Sequence, residues 1–212
     1  MIRILGIFLS LSLPVAVLAQ QAPAPQAPVQ GRGVYATIDM RPANDLVRRL
    51  NSTTGGERRP AIREVLKDPA SHMPPVLYAL GNALADDDPD DAVFWYHVGR
   101  IRAVYDSFRV KDITARHGVT VLGQGLSLPL RSAQFYQRGN LVALAQKAID
   151  WDSRNPRNYD QRWIALYGKL AATSAGTNAD EIVLPESEWA GLLQKVYEAH
   201  LKSVREFAEH KK

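Results

Sequence analysis

From about Asp39 onward the apolar residues recur mostly three and four positions apart, the spacing that lines them up along one side of a 3.6-residue helix. Leu46, Val47 and Leu50 predict a short helix over 42–50 that Gly55-Gly56 ends, and a second runs from Pro60 to Leu66 until Asp68-Pro69 closes it. Pro74-Pro75 opens a third, with Leu77, Leu80, Ala83 and Leu84 on one face, because proline in a first turn forfeits no hydrogen bond. The acidic run Asp86-Asp87-Asp88-Pro89-Asp90-Asp91 stops that helix and starts a fourth. In the fourth, Ala92, Trp95, Tyr96 and Gly99 mark one apolar stripe, and Phe94, Val98, Ile101, Tyr105 and Phe108 mark another. Two stripes predict a helix touched from both sides, hence a central one. Arg100 and Arg102 interrupt this surface, and the expectation is that their stems lie on neighbours while their heads reach water.

The pattern lapses between Lys111 and Pro129, where Gly118, Gly123, Gly125 and Pro129 punctuate Val119, Thr120, Val121 and Leu122. This stretch reads as a long ordered loop. Helix resumes through Phe135 and Tyr136 and again from Leu141 to Trp151; Asn155-Pro156 forces a turn, and Trp163, Leu166, Tyr167 and Leu170 predict another amphipathic helix. Pro185-Glu186 opens the last, with Trp189, Leu192, Leu193, Val196, Tyr197 and Val204 on one stripe. No strand alternation persists, so the expected class is all-α.

The N-terminus departs from all this. Residues 1–19, MIRILGIFLSLSLPVAVLA, carry one cation at Arg3, a short apolar run and a small-residue end, the three parts of a cleaved secretory signal. Serines and Pro14 interrupt the run before the ~20 residues a membrane span needs. The Pro/Ala/Gln-rich stretch QQAPAPQAPVQ that follows favours an extended, solvated chain. The sequence therefore divides into a signal peptide over 1–19, a disordered linker over 20–38 and a helical domain over 39–212. The expected location is periplasmic or secreted, after cleavage near Ala19, with no stable membrane insertion.

Composition narrows the chemistry. Of 212 residues 46% are hydrophobic and 23% charged, enough for one domain with a substantial core. There is no cysteine, which excludes disulfides, thiolate metal sites, a cysteine nucleophile and a lipidated N-terminal cysteine. Loss of Arg3 with the leader lowers the net charge from +4 to +3, and the remaining cations are scattered among acids, so nucleic acid is not an expected partner.

The segment Leu77 to Tyr105, LYALGNALADDDPDDAVFWYHVGRIRAVY, resembles one tetratricopeptide or Sel1-like repeat: a Leu-Gly pair in a first helix, a short turn, then alanine, two aromatics and a small residue in a second. Gly81 and Ala92 would lie where the paired helices cross most closely, with Trp95-Tyr96 filling the gap to the next pair. KAIDWDSRNP, residues 147–156, is similar to the end of a further repeat, with Trp163 and Gly168 near the start of another. The spacing from Gly81 to Ala92 is one residue shorter than the tetratricopeptide pattern, and no fixed period survives across the irregular stretch. The expected architecture is thus an irregular array of antiparallel helical hairpins, TPR-like, in one compact domain. The resemblance implies partner binding on a concave helical face rather than catalysis, with Tyr78, Asn82, Asp86 and Arg100 facing that groove.

Other chemistry finds little purchase. Asp86, Asp88 and Asp90 alternate as in a calcium loop, but Asp91 and His97 stand where that loop needs glycine and glutamate, so helix capping is the expected role. The histidines His72, His97, His117, His200 and His210 form no HExxH or similar pair, and no GxSxG, SxxK or GxxxxGK[ST] occurs. Neither a metal nor a cofactor is expected. Glu181, Glu186, Glu188 and Asp160 leave carboxylate pairs open to a hydrolase. The leading expectation is an exported interaction module that binds a protein or peptide in the cell envelope; the alternatives are an envelope hydrolase with a carboxylate site and an immunity protein that plugs a toxin.

Overall fold

The computed structural model describes residues 28–137, 139–173, 178, 180, 182–189 and 191–210; the leader and residues 20–27 of the linker lie outside them. Among the described residues the chain forms α1 (Arg41–Leu50), α2 (Gly55–Lys67), α3 (Pro74–Leu84), α4 (Pro89–Arg109), α5 (His117–Gln124), α6 (Leu128–Tyr136), α7 (Leu141–Arg154), α8 (Lys169–Thr173) and α9 (Leu192–Glu209). Short 3-10 turns join several of these. The described residues hold no strand, only one isolated antiparallel bridge between Val110 and Val183. The fold is all-α.

α3 and α4 are the frame. Pro89 begins α4 and the Asp88 carboxylate accepts the Asp91 N–H at 3.1 Å, so an aspartate of the acidic run satisfies one orphan donor of the first turn. Asp90 and Asp91 sit at the positive end of the helix dipole. The two helices lie against one another where Gly81 meets α4: a Cβ on Gly81 would come within 2.9 Å of the Ala92 carbonyl oxygen and 3.3 Å of Leu130. Only a bare α-carbon lets the backbones approach so closely.

α4 is the central helix that its two stripes predict. α3, α5, α6, α7 and α9 all touch it, and Ala92, Val93, Val98, Ile101 and Ala103 are sealed from solvent. Trp95 packs edge-on against Trp151 of α7 at 5.3 Å, while Tyr96 meets Tyr78 of α3 edge-on at 5.5 Å. Side chains of this size contribute roughly 1.5–3 kcal/mol each when fully buried, which makes this layer the main source of stability.

Four sequence expectations are corrected. The linker expected over 20–38 is anchored well before Asp39: the Val29 N–H donates to the Leu166 carbonyl, the Arg32 N–H to that of Ala171, and Val34, Tyr35 and Ile38 enter the core. Three large apolar side chains within five residues outweigh the neighbouring Pro/Ala/Gln composition. The loop expected over 111–129 is helical, because α5 buries Gly118 and Val121 and Gly118 lies flush against Tyr167. The helix expected around Trp163–Leu170 is instead a 3-10 turn, Trp163–Tyr167, followed by the five-residue α8. The last helix starts at Leu192 rather than Pro185, since Gly191 adopts φ +73°, a left-handed conformation that separates the Glu186–Glu188 turn from α9.

Candidate functional site

Two groups of polar side chains converge inside the molecule, one sealed and one open to a cleft. The sealed group grows from α4, where Arg102, Asp106 and Arg109 recur at helical spacing on one face. Arg102, expected to keep its head in water, is 0% exposed and donates its Nε–H to Asp152 of α7 at 2.7 Å. Its remaining donors meet the carbonyls of Ala70, Asn155 and Pro156, and its plane faces Trp151. Asp152 also accepts from Arg157 and, at 2.8 Å, from the Tyr197 hydroxyl of α9. Beside it Asp106 accepts from the Trp163 indole at 2.8 Å and the Tyr159 hydroxyl at 3.0 Å. Burial pushes the Asp106 carboxyl up to about 7, against the pull of those two donors. Such a proton affinity suits a general acid, but Asp106 is 0% exposed and out of a substrate's reach. The group locks α4, α7, α9 and the 155–163 connection together.

The open group lies around α4 and α9. A cleft of about 260 Å³ is lined by Tyr96, His97 and Arg100 of α4, Gln134 of α6, and His200, Ser203 and Phe207 of α9, with Leu141 and Val204 as its apolar part. His97 is 2% exposed, and its Nδ1 stands 3.1 Å from His200 Nε2, so one proton is shared across two helices. His97 Nε2 has no hydrogen-bond partner among the described residues. Arg100 is half-buried beside Tyr78 and Tyr96, whose hydroxyls feel its charge. Among the described residues no carboxylate pairs with Arg100.

Both imidazoles are neutral in the folded protein near pH 7. Burial, reinforced by Arg100, pulls His200 down to about 4, and burial with the His200 and Arg100 charges holds His97 well below its ordinary value. The stability these neutral rings contribute is complete above about pH 6.5, where the unfolded chain is also deprotonated, and is lost as the pH falls toward 4. For His200 alone the loss is roughly 3 kcal/mol over that window. Urea unfolding at pH 7, 5.5 and 4.5 should therefore show a smaller acid loss in His200→Gln than in the unaltered protein. Parallel losses in the two would disprove the assignment.

The four residues expected to face a partner groove fall in different places. Tyr78 is 3% exposed and packs edge-on against Tyr96, and with Asn82 it lines a separate cleft of about 330 Å³ bordered by α1, α3 and α5. Asn82 donates to the Gly125 carbonyl at 3.0 Å and accepts the Ser127 N–H at 2.8 Å, clamping the connection between α5 and α6. Asp86 is exposed on the α3–α4 turn. Arg100 alone lines the His97–His200 cleft, and Tyr78 is the one other member beside it. The His97–His200 pair is not visible as a motif, because 103 positions separate the two residues. A partial signal exists all the same: His200 is four residues from both Val196 and Val204, on the inward stripe of α9.

Comparison with protein-family models, curated proteins and solved structures finds no match. The fold and the cleft define an all-α helical domain with a small polar site between two of its helices, and no helix among the described residues is long and apolar enough to cross a membrane.

Proposed function

We propose that this protein is an exported interaction module of the cell envelope, a TPR-like helical domain that holds a partner protein or peptide. The observation that carries the reading is the Arg100 cleft together with the exposed Phe207 ring that lines it. Phe207 of α9 lines the cleft and is 44% exposed, and Phe135 and Tyr136 follow the cleft residue Gln134 at the end of α6, with Tyr136 83% exposed. An exposed aromatic ring in the same cleft as a half-buried arginine has the composition of a binding hot spot, where a few rigid side chains supply most of the affinity. The leader and the hairpin of α3 and α4 support the envelope location and the modular role. The hydrolase alternative draws no support from Asp106, whose altered proton affinity is confined to the sealed network.

A photo-crosslinking amino acid at Phe207, introduced into the full chain in its own host, should give one dominant covalent protein adduct in the envelope fraction. The same group at Arg63, on the exposed face of α2, should give none. Equal, diffuse labelling from both positions would overturn the reading.

A further inference from the structure

The His97–Arg100–His200 cleft has the makings of a site for one particular chemical group. Among the described residues its one resident charge is Arg100, which acts on tyrosine hydroxyls rather than on a counter-ion. A guanidinium that has given up part of its hydration and found no carboxylate is costly unless an anion completes it. Among the described residues the surroundings supply donors and no competing acid: Gln134, Ser203 and the tyrosines are neutral, and the charges that act on the histidine pair come from Arg100 and from the pair itself. When His200 Nε2 donates to His97 Nδ1, His97 carries its proton on Nε2, the buried atom that lacks a partner among the described residues.

We infer that this cleft binds a carboxylate, with Arg100 as its charged anchor and the His97–His200 pair and Gln134 as neutral donors. Size and charge choose carboxylate over phosphate. The one permanent cation among the described residues of the cleft matches a single negative charge, and a planar carboxylate fits the guanidinium fork in a two-point contact. Leu141, Val204 and Phe207 then provide apolar walls for the short chain behind it. The carboxylate is either that of a free small organic acid or the C-terminus of a bound peptide; the assignment rests on reading this cleft as the binding face, and the second source would join the two.

The test is calorimetric titration of the folded full chain with propionate, propionamide, inorganic phosphate, and a short apolar peptide with a free or an amidated C-terminus. Propionate should bind and propionamide should not, and Arg100→Gln should weaken propionate by about 30-fold or more. Ser203→Trp, which adds bulk at an exposed position of the cleft and leaves Arg100 in place, guards against a folding defect in Arg100→Gln and should also block binding. A peptide that binds more tightly than propionate only with its C-terminus free identifies a chain terminus; equal affinities identify a small acid. Equal binding of propionate and propionamide, tighter binding of phosphate, or unchanged affinity in both folded variants would overturn the carboxylate site. If the Phe207 adduct forms while propionate fails, the interaction reading stands and this inference falls; if neither occurs, both fall.

Discussion

Asp152→Ala should cost about 3–5 kcal/mol of folding stability, read as a lowered urea midpoint with an unchanged slope. Asp152 is 1% exposed and is the common acceptor of Arg102, Arg157 and Tyr197. Truncating it leaves the Arg102 guanidinium in the core with carbonyl partners and no negative charge, and the penalty for an unpaired buried cation exceeds what the pair itself contributes. Tyr197→Phe removes one neutral donor and keeps the charges matched, so it should cost only about 1 kcal/mol. The contrast separates charge from packing, since both residues join α7 to α9. A loss under about 1 kcal/mol in Asp152→Ala would mean that the arginines reach water, contrary to their placement.

Trp163→Ala should be of similar size, about 3–5 kcal/mol, as the truncation of a large aromatic side chain that is 0% exposed. This variant has a second, pH-dependent part. The Trp163 indole donates to Asp106, whose carboxyl is held at about 7, so the stability of the protonated form is complete below about pH 4 and is lost as the pH rises toward 7. The lost donor served the ionised carboxylate most strongly, so the cost of Trp163→Ala should be larger at pH 8 than at pH 5. Unfolding curves at the two values, with Asp106→Asn as the background in which the difference vanishes, decide the point. An identical cost at both values would show that Trp163 acts through its volume alone.

Much of the helical frame was legible because it depends on neighbours along the chain. The proline at the start of α4, the aspartates before it and the two apolar stripes through Trp95 and Val98 specify a capped helix with contacts on both sides, and the structure has one. Gly81 opposite Ala92 was readable for the same reason, as a residue too small for any position except a close crossing. The candidate site was far less legible. Arg100 could be singled out on α4, but Tyr78 and Asn82 line a different cleft, where Asn82 also holds the α5–α6 connection. Periodicity finds a face of a helix; it does not say whether another element covers that face.

What the sequence determined by itself is the all-α class, the central place of α4, the capping role of Asp88 and the exclusion of thiol chemistry, all consequences of local spacing and composition. Tertiary structure decided the rest. It drew Val34, Tyr35 and Ile38 into the core, turned the glycine-punctuated stretch into α5, and set His97 against His200 across 103 positions. It also sealed Arg102 with Asp152 while leaving Arg100, two residues away, beside a cleft with no acidic partner among the described residues. Two arginines so close in sequence point to different sides of one helix, and the elements packed on each side decide which is sealed and which faces a cleft.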